Sequence, residues 1–305
     1  MGSFYVVLGS NVNHPLVEAW SAERLPFEPK GWKLQFRSDV REALQRLSFV
    51  PGSTLAALYM SPITEYCDVE NIVFYNIGSA SFSHLRCKSI RFERVCSEPP
   101  TLPNSAATSW KHYLSYALIN TERGLTHWEP ARLLAKWEHV PCGVLTSSSK
   151  VASVWHWFKL GIGAGRVQRL VRSEVLGTNL GLKVTIHVPK STSRNLTSVI
   201  KLVFDGIVAA FSKHDGSIDL VAKRLAAALG IDQQGLTYLL ENKTMAILGA
   251  RSLVWPRGNG VQWNPNDDLL VASELSLVDC VSEGEWELSG ELFEVREAKS
   301  GTHPL

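Results

Sequence analysis

The chain has 305 residues, 45% of them apolar and 20% charged, which is enough material for one large core or two ordinary ones. A net charge of +2 is too small to advertise a generic polyanion binder, but the charge is uneven: Lys159–Lys201 carries +7 and Asp267–Glu297 carries −9. Such asymmetry suits a nucleic-acid face on one element and an acidic sheet edge on another, or two solvated faces that neutralise each other.

Cys67, Cys87, Cys96, Cys142 and Cys280 are odd in number and contain no C-x-x-C pair, which argues against a disulfide framework and a zinc ribbon. No secretory leader is legible, and no run approaches the ~20 apolar residues of a membrane span. The expected setting is cytoplasmic, with no membrane partner.

In chain order, Phe4–Leu8 reads as a strand and Trp32–Phe36 as another. A short helix follows, capped by Ser38, with Val40, Ala43, Leu44 and Leu47 on one side. Thr54–Tyr59, Glu70–Ile77 and Lys88–Val95 read as strands. Trp110–Ile119 fits helix or strand, and Glu129-Pro130 opens a predicted helix through His139, because proline suits the first helical position. The serine-rich stretch Gly143–Ser149 reads as a linker. The expected organisation is therefore α/β (α+β): a mixed domain over residues 1–148 and a second over 149–305, with helices inserted at about 217–243.

The second region is the clearer one. In Lys183–Pro189, Val184, Ile186 and Val188 share one strand face, and Pro189 ends the run. After a basic turn at Lys190–Arg194 the period becomes helical, with Asn195 as N-cap and an apolar stripe from Leu196 to Phe211. Lys201 and Asp205 lie one turn apart on the other side of that helix. Ile218–Leu229 is a helix ended by Gly230, and Asp232 caps another to Glu241. Ala246–Trp255, Leu269–Val278 and Trp286–Val295 read as strands, and Pro256–Pro265 as a loop. No internal repeat stands out, although Lys33–Leu47 and Lys183–Phe211 share a strand-to-helix outline.

The order Arg194, Lys201, Asp205, then Asp267-Asp268, resembles the RusA-type Holliday-junction resolvases. In that family a strand and basic turn lead to an Asp-x-Asp-Asn opening, then Lys and Asp on one helix, then a later Asp-Asp. The resemblance implies a dimer that cuts four-way DNA with Mg²⁺ held by carboxylates, because phosphate hydrolysis needs a metal to activate water and steady charge. Here Asn195, Thr197 and Ser198 stand at the opening, so two of its acids are missing. Upstream, Asp68-Val69-Glu70-Asn71 has the missing order. Placed on a strand, Asp68 and Glu70 would share a face and could complete a metal site with Asp268; a polar approach to a buried strand is the plainer reading.

Other signals are weaker. Arg166, Arg169 and Arg172 would form one basic stripe if helical. Gly161–Gly165 lacks the spacing of a dinucleotide or P-loop and reads as a helix end or linker. Trp110, Trp128, Trp137, Trp155 and Trp157 fit core packing better than base stacking.

The sequence therefore predicts a protein that binds structured DNA or RNA without efficient cleavage. Lys190, Arg194 and Lys201, with the three arginines, would contact phosphates, and Asp205, Asp267 and Asp268 would be remnants of a catalytic site. Two alternatives stay open: a Mg²⁺-dependent nuclease completed by Asp68 and Glu70, and an interaction module that forms a homodimer through sheet edges.

Overall fold

A computed structural model describes residues 4–9, 15–48, 50–63, 67–103, 110–120, 124–146, 148–190, 195–280 and 286–299. Its elements begin with β1 (Tyr5–Leu8), β2 (Leu16–Ser21), α1 (Trp32–Gln45), β3 (Ser53–Met60), β4 (Ser89–Val95), β5 (His112–Asn120) and β6 (Trp128–Cys142). There follow α2 (Val151–Gly163), β7 (Val167–Arg169), β8 (Leu180–Pro189), α3 (Ile200–Phe211) and β9 (Lys213–His214). Then come α4 (Asp219–Leu229), α5 (Gln233–Glu241), β10 (Ala250–Arg251), β11 (Val254–Arg257), β12 (Gly260–Trp263), β13 (Leu270–Cys280) and β14 (Trp286–Glu297). The fold is α+β, as the sequence predicts.

Among the described residues, ten strands form one mixed sheet in the order β1-β2-β5-β3-β4-β13-β8-β14-β6-β7, so strands from both sides of residue 148 share it. The main core packs α1, α2 and α3 against one face, and Phe36, Phe92, Trp155, Ile186 and Phe204 all belong to that continuous core. Trp110, Trp128, Trp137 and Trp155 are buried in cores, which accounts for the tryptophan-rich region. Among the described residues, no helix is long and apolar enough to cross a membrane.

The sheet has an order that the sequence hides. Counting outward from the β4–β13 boundary, β3 is parallel to β4 and β8 is parallel to β13. Next, β5 is antiparallel to β3 and β14 is antiparallel to β8. Beyond these, β2 pairs with β5 and β6 pairs with β14, both antiparallel. Because β4 and β13 are themselves antiparallel, the two halves are related by a pseudo-two-fold axis through that boundary.

Several predicted elements change type. Trp32–Phe36 is the start of α1, not a strand: Trp32, Phe36 and Val40 recur every four residues toward the core, while Leu34 is exposed. Five residues are too few to separate the two periods. Glu70–Ile77 is helical, with a π turn at Asn71–Tyr75 that buries Ile72, Val73 and Phe74 together. Glu129–His139 is extended as β6, because β14 offers it a long ladder; Pro130 sits opposite Val295 at a register shift, where its missing N–H costs little. The span 246–255 holds only the short β10 and the start of β11, and the predicted loop 256–265 folds back as the β11–β12 hairpin.

The β8–α3 unit forms as read. The Asn195 side chain accepts from the Thr197 N–H, capping a 3₁₀ turn at Leu196–Ser198 ahead of α3. Asp232 caps α5, and Gly230 ends α4 in the left-handed region at φ 69°. Helix α3 lies close on α2 at Gly206, where a Cβ would stand 2.6 Å from Val154 Cβ and 3.0 Å from the Trp155 backbone nitrogen. Gly206→Ala is expected to destabilise the protein by about 1–3 kcal/mol, measured by urea unfolding, because backbone cannot move aside as a side chain can.

Candidate functional site

Helix α3 presents Lys201 to four carboxylates. Its Nζ lies 3.4 Å from Asp68 Oδ2, 3.2 Å from Glu70 Oε1, 3.3 Å from Asp205 Oδ1 and 3.4 Å from Asp267 Oδ2. These distances exceed those of a good charge-assisted bond, as expected of one ammonium shared among four partners. Two of the acids come from the first half of the chain and two from the second.

Topology explains the convergence. Strand β3 ends beside the end of β4, since Met60 faces Val95, and the chain then reaches Asp68 and the helical turn that carries Glu70. Strand β13 starts beside the same end of β4, with Ala272 opposite Glu93, so Asp267 arrives there just ahead of it. Arg94, near the end of β4, fastens the two arrivals: Nη1 donates to the Cys67 carbonyl at 2.9 Å and Nη2 to the Asp268 carbonyl at 3.1 Å. Nothing in the residue pattern around Arg94 singles it out.

The trio fit for a cation differs from the predicted one. Among the described residues, Asp68, Glu70 and Asp267 each offer one oxygen within 4.8 Å of the others. Asp268 turns away instead: its Oδ1 accepts from Arg251 Nη1 at 3.3 Å, and Arg251 is also held by the Pro265 carbonyl at 2.6 Å. Of two adjacent acids only one faces the cluster. The strand geometry predicted for Asp68 and Glu70 is also replaced by a helical turn, with the Asn71 amide on Asp68.

Burial makes this cluster electrostatically expensive. Glu70 is 0% exposed, and its Oε2 has no hydrogen-bond partner among the described residues. Burial first, and then Asp267 and Asp68 against the opposing pull of Lys201, push Glu70 up to about 7. Asp267 rises to about 6 through burial and the nearby Asp68, and burial lifts Asp205 well above the ordinary carboxylate range. For Lys201, burial favours the neutral amine, but the four carboxylates, Glu70 foremost, outweigh it and hold the ammonium charged.

A cleft of about 510 Å³ opens onto Lys201 and Asp205, lined also by Tyr75, Lys150 and Trp263. Octahedral Mg²⁺ takes oxygens at roughly 2.1 Å, hence about 3–4 Å from one another. The spacing of the trio is compatible with a small divalent cation after slight closure, with Lys201 Nζ lying 3.2–3.4 Å from the same three residues. The donor set is all oxygen, which suits a hard cation.

Of the predicted phosphate contacts, Lys201 stands in the cluster, whereas Arg166, Arg169, Arg172 and Lys190 do not. Arg166–Arg172 is not helical: Arg166 donates to the His139 carbonyl, and Arg169 donates to the carbonyls of Val171 at 2.8 Å and Arg172 at 3.2 Å. Arg172 and Lys190 are exposed, and Lys190 follows the end of β8 opposite to that at which Asp267 precedes β13, since Leu270 faces Leu180 and Cys280 faces Pro189. Arg194 lies outside the described residues. Gly161–Gly163 ends α2, in line with the plainer reading of that glycine run.

No protein-family model matches the chain, and no match was found among curated proteins or solved structures.

Proposed function

We propose that this chain is a divalent-metal-dependent nuclease acting on structured nucleic acid, with one catalytic centre assembled from both halves. The carrying observation is the convergence of Asp68, Glu70 and Asp267 beside Lys201 and Asp205. The acids absent at Asn195 and Thr197 are supplied in space by Asp68 and Glu70. This favours the metal-dependent alternative over a remnant site that only binds. The resemblance to RusA-type resolvases in residue order supports the same reading and suggests branched DNA as substrate.

Asp68, Glu70 and Asp267 would hold the cation, with Asp205 setting the position of Lys201. The bound metal would supply Lewis-acid polarisation of the scissile phosphate and the attacking water. In the hydrolysis, the water oxygen bonds to phosphorus as the phosphorus–oxygen bond to one sugar breaks. The water gives up a proton to a cluster carboxylate, and the leaving alkoxide takes one from solvent. Lys201 would face the charge gathering on the phosphate oxygens, where a fixed cation in a partly dry site is most effective.

The test is cleavage of a synthetic four-way junction with and without Mg²⁺. Asp267→Asn is expected to lose roughly 10²–10³-fold in rate, and Asp268→Asn less than about tenfold, since several kcal/mol of charge stabilisation are at stake only at the first. Junction binding that falls with salt, with no cleavage under Mg²⁺ or Mn²⁺, would return the protein to the non-cutting class.

A further inference from the structure

The pseudo-two-fold axis that relates the halves must also generate a second position equivalent to the Lys201 cluster. The equivalent of Asp68-Val69-Glu70-Asn71, which follows β3, is Asn195-Leu196-Thr197-Ser198, which follows β8. At the spacing that places Lys201 and Asp205 after Asn195, the first half has Phe74 and Gly78 after Asp68. The approach to β13 carries Asp267 and Asp268, whereas the approach to β4 carries Leu85, Arg86 and Cys87.

The structure brings these equivalents together as the axis requires. Asn195, Leu196 and Thr197 line one small cavity with Leu85, Arg86 and Cys87. None of the residues lining that cavity is an acid or a lysine. Asn195 Nδ2 and Thr197 Oγ1 both donate to the Ser79 carbonyl, each at 3.0 Å, so the polar atoms are spent on internal bonds. The cavity measures about 10 Å³, against about 510 Å³ for the cleft at Lys201. It is too small to hold more than a single water.

We infer that the chain is a covalently joined pair of like units, acting as a monomer with one centre in use and its counterpart closed. Resting on the nuclease reading, the inference adds that each encounter cuts one strand. A molecule with a true two-fold axis and two centres can cut two strands in one encounter; this one presents a single reacting position and an inert face related to it by symmetry.

The experiment measures Mn²⁺ bound per chain by electron paramagnetic resonance, the mass in solution by sedimentation, and the first product from excess supercoiled plasmid bearing a cruciform. Support is one Mn²⁺ per monomer, lost in Glu70→Gln, together with nicked circle as the first product. Two Mn²⁺ per chain, an obligate dimer, or linear plasmid from a single encounter would overturn the inference while leaving the nuclease reading standing. One Mn²⁺ retained by Glu70→Gln would place the ion elsewhere and overturn it as well. Absence of any Mn²⁺ binding would overturn both.

Discussion

Glu70→Gln is expected to make the metal-free protein more stable, by about 1–2 kcal/mol at neutral pH, while lowering cleavage roughly 10²–10³-fold. Among the described residues, four carboxylates surround one ammonium, and Glu70 is the one with no exposure and an oxygen lacking a hydrogen-bond partner. Removing one partner of an ordinary buried ion pair is destabilising, because the other charge is left alone. Here three carboxylates remain for Lys201, and the repulsion among the acids is reduced. A cluster serving only to anchor α3 would respond in the opposite direction.

The pH dependence has a definite sign. Glu70 and Asp267 rise to about 7 and about 6, so the folded protein keeps protons that the unfolded chain has already released. Stability from these groups therefore falls as pH rises from the ordinary carboxylate range through about 7. The gain from Glu70→Gln should be greatest above that point and vanish in acid, where Glu70 is neutral in both states. Thermal melts in chelator at several pH values read this directly. Equal gains across the range, or a loss at neutral pH, would refute it.

The readable parts of the sequence were those whose signal is local. Pro189, the N-cap Asn195 and the period change after it define β8 and α3, while Gly230 and Asp232 mark the ends of neighbouring helices. The unreadable parts depend on partners distant in the chain. Ile72-Val73-Phe74 is apolar in a way that suits a buried strand or a buried helical turn equally. Trp128–Cys142 is extended because β14, and over Ala135–Trp137 also β7, pair with it. The repeat is carried by strand order, and the link from Asp205 to Asp267 is filled in the second half by α4, α5 and a hairpin, which destroys any fixed period.

The site was legible as a set of residue types but not as a geometry. Lys201, Asp205, Asp68 and Glu70 could all be picked out, yet which of Asp267 and Asp268 turns inward is decided by Arg251 and the short 3₁₀ turn before β13. Arg94 was invisible because it works through backbone carbonyls from both halves, and carbonyls leave no mark in sequence. The basic stripe failed for the same kind of reason: Arg166 and Arg169 spend their donors on carbonyls of their own fold.

Replacing the cation in the cluster should have the opposite effect to removing an acid. Lys201→Met keeps much of the aliphatic bulk and leaves Asp68, Glu70, Asp205 and Asp267 without the ammonium they share. In chelator at neutral pH the expected loss is about 3–5 kcal/mol, the range for stranding buried charge. Lowering the pH should restore most of it, since protonation removes the repulsion. Adding Mn²⁺ should restore part by another route, because a ligand at a hundred times its dissociation constant stabilises by about 2.7 kcal/mol. Combining Lys201→Met with Asp205→Asn should cost less than Lys201→Met alone, the sign of coupling expected for groups in direct contact. Rescue by acid but not by Mn²⁺ would mean the oxygens cannot close around a metal, and the cluster would then be a device for holding α3 in place.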